Sequence, residues 1–124
     1  MASPAQTIRV FGVYLLLLAI TLLFVPNLLM QAVGAPLTTD VWVRITGMLV
    51  GLLGFYYLRA ASIGLSVFYQ WSVQARLSVL GFLGAFIALG LAPPIFLVVG
   101  IIDAAGAVWT WIALRRGNQP TAVA

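Results

Sequence analysis

Residues 93–114 read PPIFLVVGIIDAAGAVWTWIAL. Two prolines open this run, Arg115 and Arg116 close it, and Asp103 is the single charge inside it. A helix that crosses a bilayer needs about 20 mostly apolar residues at about 1.5 Å rise each. The run meets that length, and proline suits the first turn of a helix, where its missing N–H has no intrahelical partner anyway. The stretch is therefore expected to be a membrane span with a carboxylate near its middle. An acid at that depth is costly and is by default a sign of function.

The rest of the chain has the same character. Of its 124 residues, 64% are hydrophobic and only 6% are charged, against about 25% charged in soluble domains. A soluble fold of this size cannot bury that much apolar surface, so lipid is the solvent that fits. Three further apolar stretches stand upstream: Val10 to Met30, the segment between Asp40 and Arg59, and Leu77 to Ala92. Pro26-Asn27 ends the first straight helix, although the chain can stay helical to Met30. The segment from Gly34 to Asp40 reads as a turn, with Thr39 or Asp40 capping the next helix. Gly64 marks the second connection, and Gly90 to Pro94 a tight hairpin. The reading is an all-α, integral membrane four-helix bundle in one domain over residues 1–124, with spans of 9–30, 41–60, 71–91 and 94–115. The uncharged cores of the second and third spans are short. Their helices must include Arg44, Arg59 or Arg76, with those side chains reaching toward the headgroups.

Charge placement sets an orientation. With a cytoplasmic N-terminus, Arg9, Arg59, Arg76, Arg115 and Arg116 fall inside and only Arg44 outside, a positive-inside bias. Both termini are thus expected in the cytoplasm and the protein in the inner (plasma) membrane. Arg9, the apolar run and Ala32-Val33-Gly34 also outline a signal peptide, but the apolar run is long for one and the basic region weak. Phe68-Tyr69-Gln70-Trp71 reads as an aromatic anchoring belt at the inner interface. Phe55 to Arg59 and Trp109 to Arg115 echo one another, as inward-running helices that end in aromatics and arginine do.

Several function classes lose their usual residues. The chain has no Lys, Glu, His or Cys. Thiol redox chemistry, iron–sulfur ligation, thioether haem attachment and the commonest metal ligand are missing, so neither a cofactor nor a metal is expected. The net charge of +4 comes from six scattered arginines, which make no phosphate-binding face, and nucleic acid is not an expected partner. No Gly-rich phosphate loop or Ser–His arrangement is present, and no catalytic residue is assigned.

Two sets of residues remain. Gly47, Gly51 and Gly54 recur with Arg44 on one face of the second span, and Gly47 to Gly51 is a GxxxG that admits close approach of another backbone. The third span carries Gly81, Gly84, Ala85 and Ala88, and the fourth Gly100, Ala104, Gly106, Ala107 and Thr110 around Asp103. These small faces are expected to pack the bundle, with one serving a homo-oligomer as the alternative. Asp103 should face the interior, since exposure to lipid costs about 2.5–3.5 kcal/mol. Arg44 lies about 9 Å shallower and Arg76 about 9 Å deeper by helical rise. The lean of helical side chains toward their N-terminus favours Arg44. Asp103 is expected to pair with one of these arginines or to be protonated. Tyr14, Thr46, Tyr56 and Ser78 are possible donors to it.

The segments Trp42-Val43-Arg44-Ile45-Thr46-Gly47, Tyr56-Tyr57-Leu58-Arg59-Ala60 and Asp103 to Thr110 resemble those of small four-span bacterial membrane proteins, broadly DoxX-like. The resemblance implies at most an accessory membrane subunit, since DoxX is associated with a thiosulfate–quinone oxidoreductase. With no Cys or His here, it transfers no catalytic residue. The expected function is a non-enzymatic structural or accessory component of a membrane complex. Its partners would be the lipid bilayer and another chain or a second copy. The alternatives are a small-solute or lipid carrier that uses Asp103 with Arg44 or Arg76, and a quinone-linked redox accessory subunit.

Overall fold

A computed structural model describes residues 2–117, so the polar tail beyond Gly117 lies outside the described residues. The chain is an all-α four-helix bundle, and no strand occurs among the described residues. The long helices are α1 (Pro4–Phe24), α3 (Val41–Ile63), α4 (Ser66–Ala88) and α5 (Leu97–Gly117). A short α2 (Pro26–Val33) follows α1, and a 3₁₀ turn (Pro94–Phe96) leads into α5. Four segments are long and apolar enough to cross a membrane, which makes this a multi-pass membrane protein.

Local chemistry explains the boundaries. Ser3 caps α1, its hydroxyl accepting from the Gln6 amide while the Gln6 side chain accepts from the Ser3 amide. This capping box satisfies two donors at the helix start, so α1 begins five residues before the expected limit at residue 9. At the other end Pro26 has no N–H to continue the ladder. The helix breaks at Val25, and α2 starts afresh at Pro26. Gly34 ends α2 with φ of 71°, a left-handed conformation that glycine adopts without strain. The turn after α2 is tied back when the Thr38 amide donates to Asn27 Oδ1 at 2.8 Å. Asp40 then caps α3 by accepting from the Trp42 amide. Gly64, with φ of 68°, separates α3 from α4. That turn lies earlier than the expected start of the third span at residue 71, so Trp71 falls inside α4.

The helices pair as two hairpins. α1 packs along α3, α4 packs along α5, and the hairpins meet chiefly through α1 and α5. α3 and α4 follow one another in sequence yet touch only slightly. The core is Ile8, Phe11 and Leu15 from α1, Tyr57, Ala60 and Ala61 from α3, Tyr69 and Val73 from α4, and Ala107 and Leu114 from α5. These residues gather toward one end of the bundle, where α1 begins and α5 finishes. The buried residues of α4 all lie between Tyr69 and Arg76. Its second half has α5 as its main neighbour and faces outward.

Candidate functional site

The polar centre of the bundle is Arg76. Only 3% of its surface is exposed, which corrects the expectation that it reaches toward the headgroups. It sits in the first half of α4, and its side chain turns into the space between α1 and α5. The guanidinium is held by a directed chain of donors. Arg76 Nη2 donates to Thr110 Oγ1 at 2.8 Å, the Thr110 hydroxyl donates to Thr7 Oγ1 at 2.9 Å, and the Thr7 hydroxyl donates to the Pro4 carbonyl at 2.7 Å. Three helices are joined by consecutive side chains, and both threonines are fully buried. Arg76 Nε donates to the Ser72 carbonyl at 3.3 Å, one turn back along α4. The Ser72 hydroxyl donates to the Tyr57 hydroxyl at 2.6 Å and brings α3 into the network.

Aromatic rings complete the enclosure. Arg76 Cζ lies 4.5 Å from the centroid of the Phe11 ring and 5.8 Å from that of Tyr57. A desolvated cation over an aromatic face is attracted by the ring quadrupole. One donor is left over. Arg76 Nη1 is buried and makes no hydrogen bond to any described residue. It lies 3.0 Å from the position a Cβ on Gly106 would take. Any side chain there would crowd it, and glycine avoids that contact.

Asp103 is half-buried on α5. Arg76 is the charged group that acts on it. No carboxylate–guanidinium contact within 4.0 Å forms between Asp103 and a described arginine. Arg44, which the lean of the side chains favoured as a partner, is engaged elsewhere. It is exposed at the start of α3 and donates through Nη1 to the Leu23 carbonyl. Leu23 belongs to the last turn of α1, whose carbonyls lose their ladder at the Pro26 break. Arg44 is thus a cap on α1. Of the other possible donors, the Thr46 hydroxyl serves the Trp42 carbonyl and the Ser78 hydroxyl the Ala75 carbonyl.

The glycines divide into used and unused. Gly47 and Gly54 are buried against α1, and Gly51 faces Ala19. A Cβ on Gly47 would lie 2.8 Å from Leu22 Cβ, and one on Gly54 would lie 3.1 Å from the Gly12 carbonyl oxygen. Gly100 receives Leu80 of α4, and Gly106 lies against Arg76 and Phe11. Gly81 and Gly84 differ, because a Cβ on either would meet nothing within 4 Å. Gly81 lines an open face with Ser78, Phe82 and Ala85. The aromatic stretch after Gly64 also divides. Tyr69 is buried and its hydroxyl donates to the Ala60 carbonyl at 3.2 Å, whereas Trp71 points outward at 62% exposure. Phe68 packs edge-on against Tyr57, with centroids 5.0 Å apart.

Thr7, Ser72, Tyr57 and Phe11 were missed as members of a site. Thr7 lay outside the expected first span, and the Ser3-x-x-Gln6 pattern was the signal that would have brought it in. No group of three or more His, Cys, Asp or Glu side chains gathers among the described residues. The arrangement offers donors to an oxygen acceptor and a fixed positive charge. Comparison with protein-family models, characterised proteins and solved structures finds no match to this chain.

Proposed function

We propose that this protein is a non-enzymatic accessory component of an inner-membrane complex, with both termini on the cytoplasmic side. The open glycine face of α4 carries the reading. Gly81 and Gly84 present backbone with no neighbour in the protomer, beside a shallow groove lined by Ser78, Gly81, Phe82 and Ala85. In lipid there is no hydrophobic drive between helices, and small residues gain association by letting backbones approach closely. α3 uses its glycines in that way inside the protomer, and α4 offers the same device to another chain. The likeness to DoxX-like accessory subunits points in the same direction.

The orientation has support of its own. Arg9, Arg59, Arg115 and Arg116 belong to the end of the bundle where α1 starts and α3 and α5 finish, and Arg44 belongs to the opposite end. Arg76 is buried and is a weaker topological signal, and the remaining four against one keep the bias.

Native mass spectrometry of gentle membrane extracts tests the accessory role. The expected result is a discrete assembly containing this chain and a second polypeptide. Gly81→Leu and Gly84→Leu should disperse that assembly and leave a folded monomer, because a Cβ at either position meets nothing within 4 Å in its own protomer. A monomer carrying only lipid in the unsubstituted extract would overturn the reading.

A further inference from the structure

A groove of about 190 Å³ runs between α1 and α5 and has Arg76 at its wall. α1 contributes Val10, Phe11 and Tyr14, and α5 contributes Ile102, Gly106 and Trp109. Its α1 wall extends from Thr7 to Tyr14, roughly 10 Å along the helix axis. The polar groups, Thr7 and Arg76, stand toward the end where α1 begins. Away from them the walls are apolar except for the phenol of Tyr14. The flank is open to the lipid side, since Val10, Ile102 and Trp109 are each more than 40% exposed. The lining changes from polar to apolar along the membrane normal, as a single-chain amphiphile does.

The chemistry of the head end narrows the occupant. Arg76 has donors and no acceptor. Two of its nitrogens are satisfied within the protein, and Nη1 is buried without a hydrogen bond. An unmet charged donor in an apolar setting is costly. Asp103 does not meet it: the carboxylate lies a turn deeper on α5, makes no contact with the guanidinium and does not line the groove. Gly106, which also lines the groove, places no side chain against that donor. The geometry points to a lipid-accessible binding site for an acyl chain headed by a carbonyl-type oxygen. That oxygen accepts from Arg76 Nη1, and the chain lies along Val10, Tyr14 and Ile102. Carboxylate and ester share this acceptor. The site is separate from the α4 face and stands whether or not that face binds another chain.

Photolabelling of the full chain in phosphatidylcholine nanodiscs with a diazirine-bearing palmitic acid tests the assignment. The label is expected within residues 10–14 and 102–109, and to be displaced by an excess of unlabelled acid. Displacement by palmitic acid alone identifies a free carboxylate as the source, and equal displacement by methyl palmitate identifies an ester. Val10→Trp fills the groove from its lipid side without touching the polar network, and should cut labelling there by about tenfold while labelling near Phe82 is unchanged. Arg76→Gln should lower it by about the same factor, as loss of one charge-assisted hydrogen bond implies, in protein shown to be folded by its thermal transition. Labelling spread evenly over the outward faces would overturn the assignment. So would displacement by hexadecane as effective as by either oxygen-headed competitor, or full retention of label in Val10→Trp.

Discussion

The two hairpins use the same residue type in opposite ways. In α1 and α3, glycine is where backbones touch: Gly47 against Leu22 and Ala19, Gly54 against Gly12 and Leu15. In α4 and α5, Gly100 receives Leu80, but Gly81 and Gly84 of α4 face open space. The first hairpin is closed by contact with itself. The second is completed from outside, by the first hairpin on its inner half and by lipid or another chain on its outer half. A small-residue face therefore marks where a helix can be approached, and the neighbouring helices decide whether it is.

One substitution made in both hairpins should give opposite signs. Gly47→Ala puts a Cβ 2.8 Å from Leu22 Cβ, and overpacking of this kind costs about 1–3 kcal/mol. Its transition in a detergent unfolding titration should fall clearly below that of the unsubstituted protein. An unchanged transition would mean that α1 and α3 are not in close contact there. The junction between hairpins should respond next. Thr110→Val removes the acceptor for Arg76 and the donor for Thr7, and is expected to destabilise by about 1–2 kcal/mol. Its effect should overlap with that of Thr7→Val in a double-mutant cycle, whereas strictly additive losses would break the chain of donors into independent contacts. The smallest effect belongs to Gly81→Ala. Its Cβ meets nothing, and relief of glycine's conformational freedom in a helix should stabilise the isolated protomer by about 0.5 kcal/mol. A loss of protomer stability there would show that the outer face of α4 is already packed.

Most of the architecture was legible in the sequence, because length and apolarity dominate in membrane helices. Pro26, Gly34, Gly64 and Gly90 announced breaks that the structure contains. The start of α1 was legible too, in Ser3 and Gln6, but the apolar run drew the boundary inward to residue 9. The polar centre was less accessible. The polar residues of α4, Ser66, Gln70, Ser72, Gln74, Arg76 and Ser78, are spread round the helix, so its pattern does not choose a buried face, and whether Arg76 turns inward or toward the headgroups depends on that choice. Glycine spacing likewise looks alike on α3 and α4 until their neighbours are known. Asp103 stood out as the lone intramembrane acid. Of the two arginines offered as its partners the lean of the side chains favoured Arg44, whereas Arg76 is the more enclosed and gathers the hydrogen bonds.

The contact between Thr7 and Thr110 also orders the birth of the protein. Chains are made from the N-terminus, and these two hydroxyls are 103 positions apart. Arg76 leaves the ribosome 34 positions ahead of its acceptor on Thr110. The first hairpin can close on its glycines while synthesis continues, but α4 enters the bilayer carrying a cation whose side-chain acceptor, Thr110, has not yet been made. Arrival of α5 gives Arg76 Nη2 its acceptor and links α5 to α1, so the polar centre closes late in synthesis.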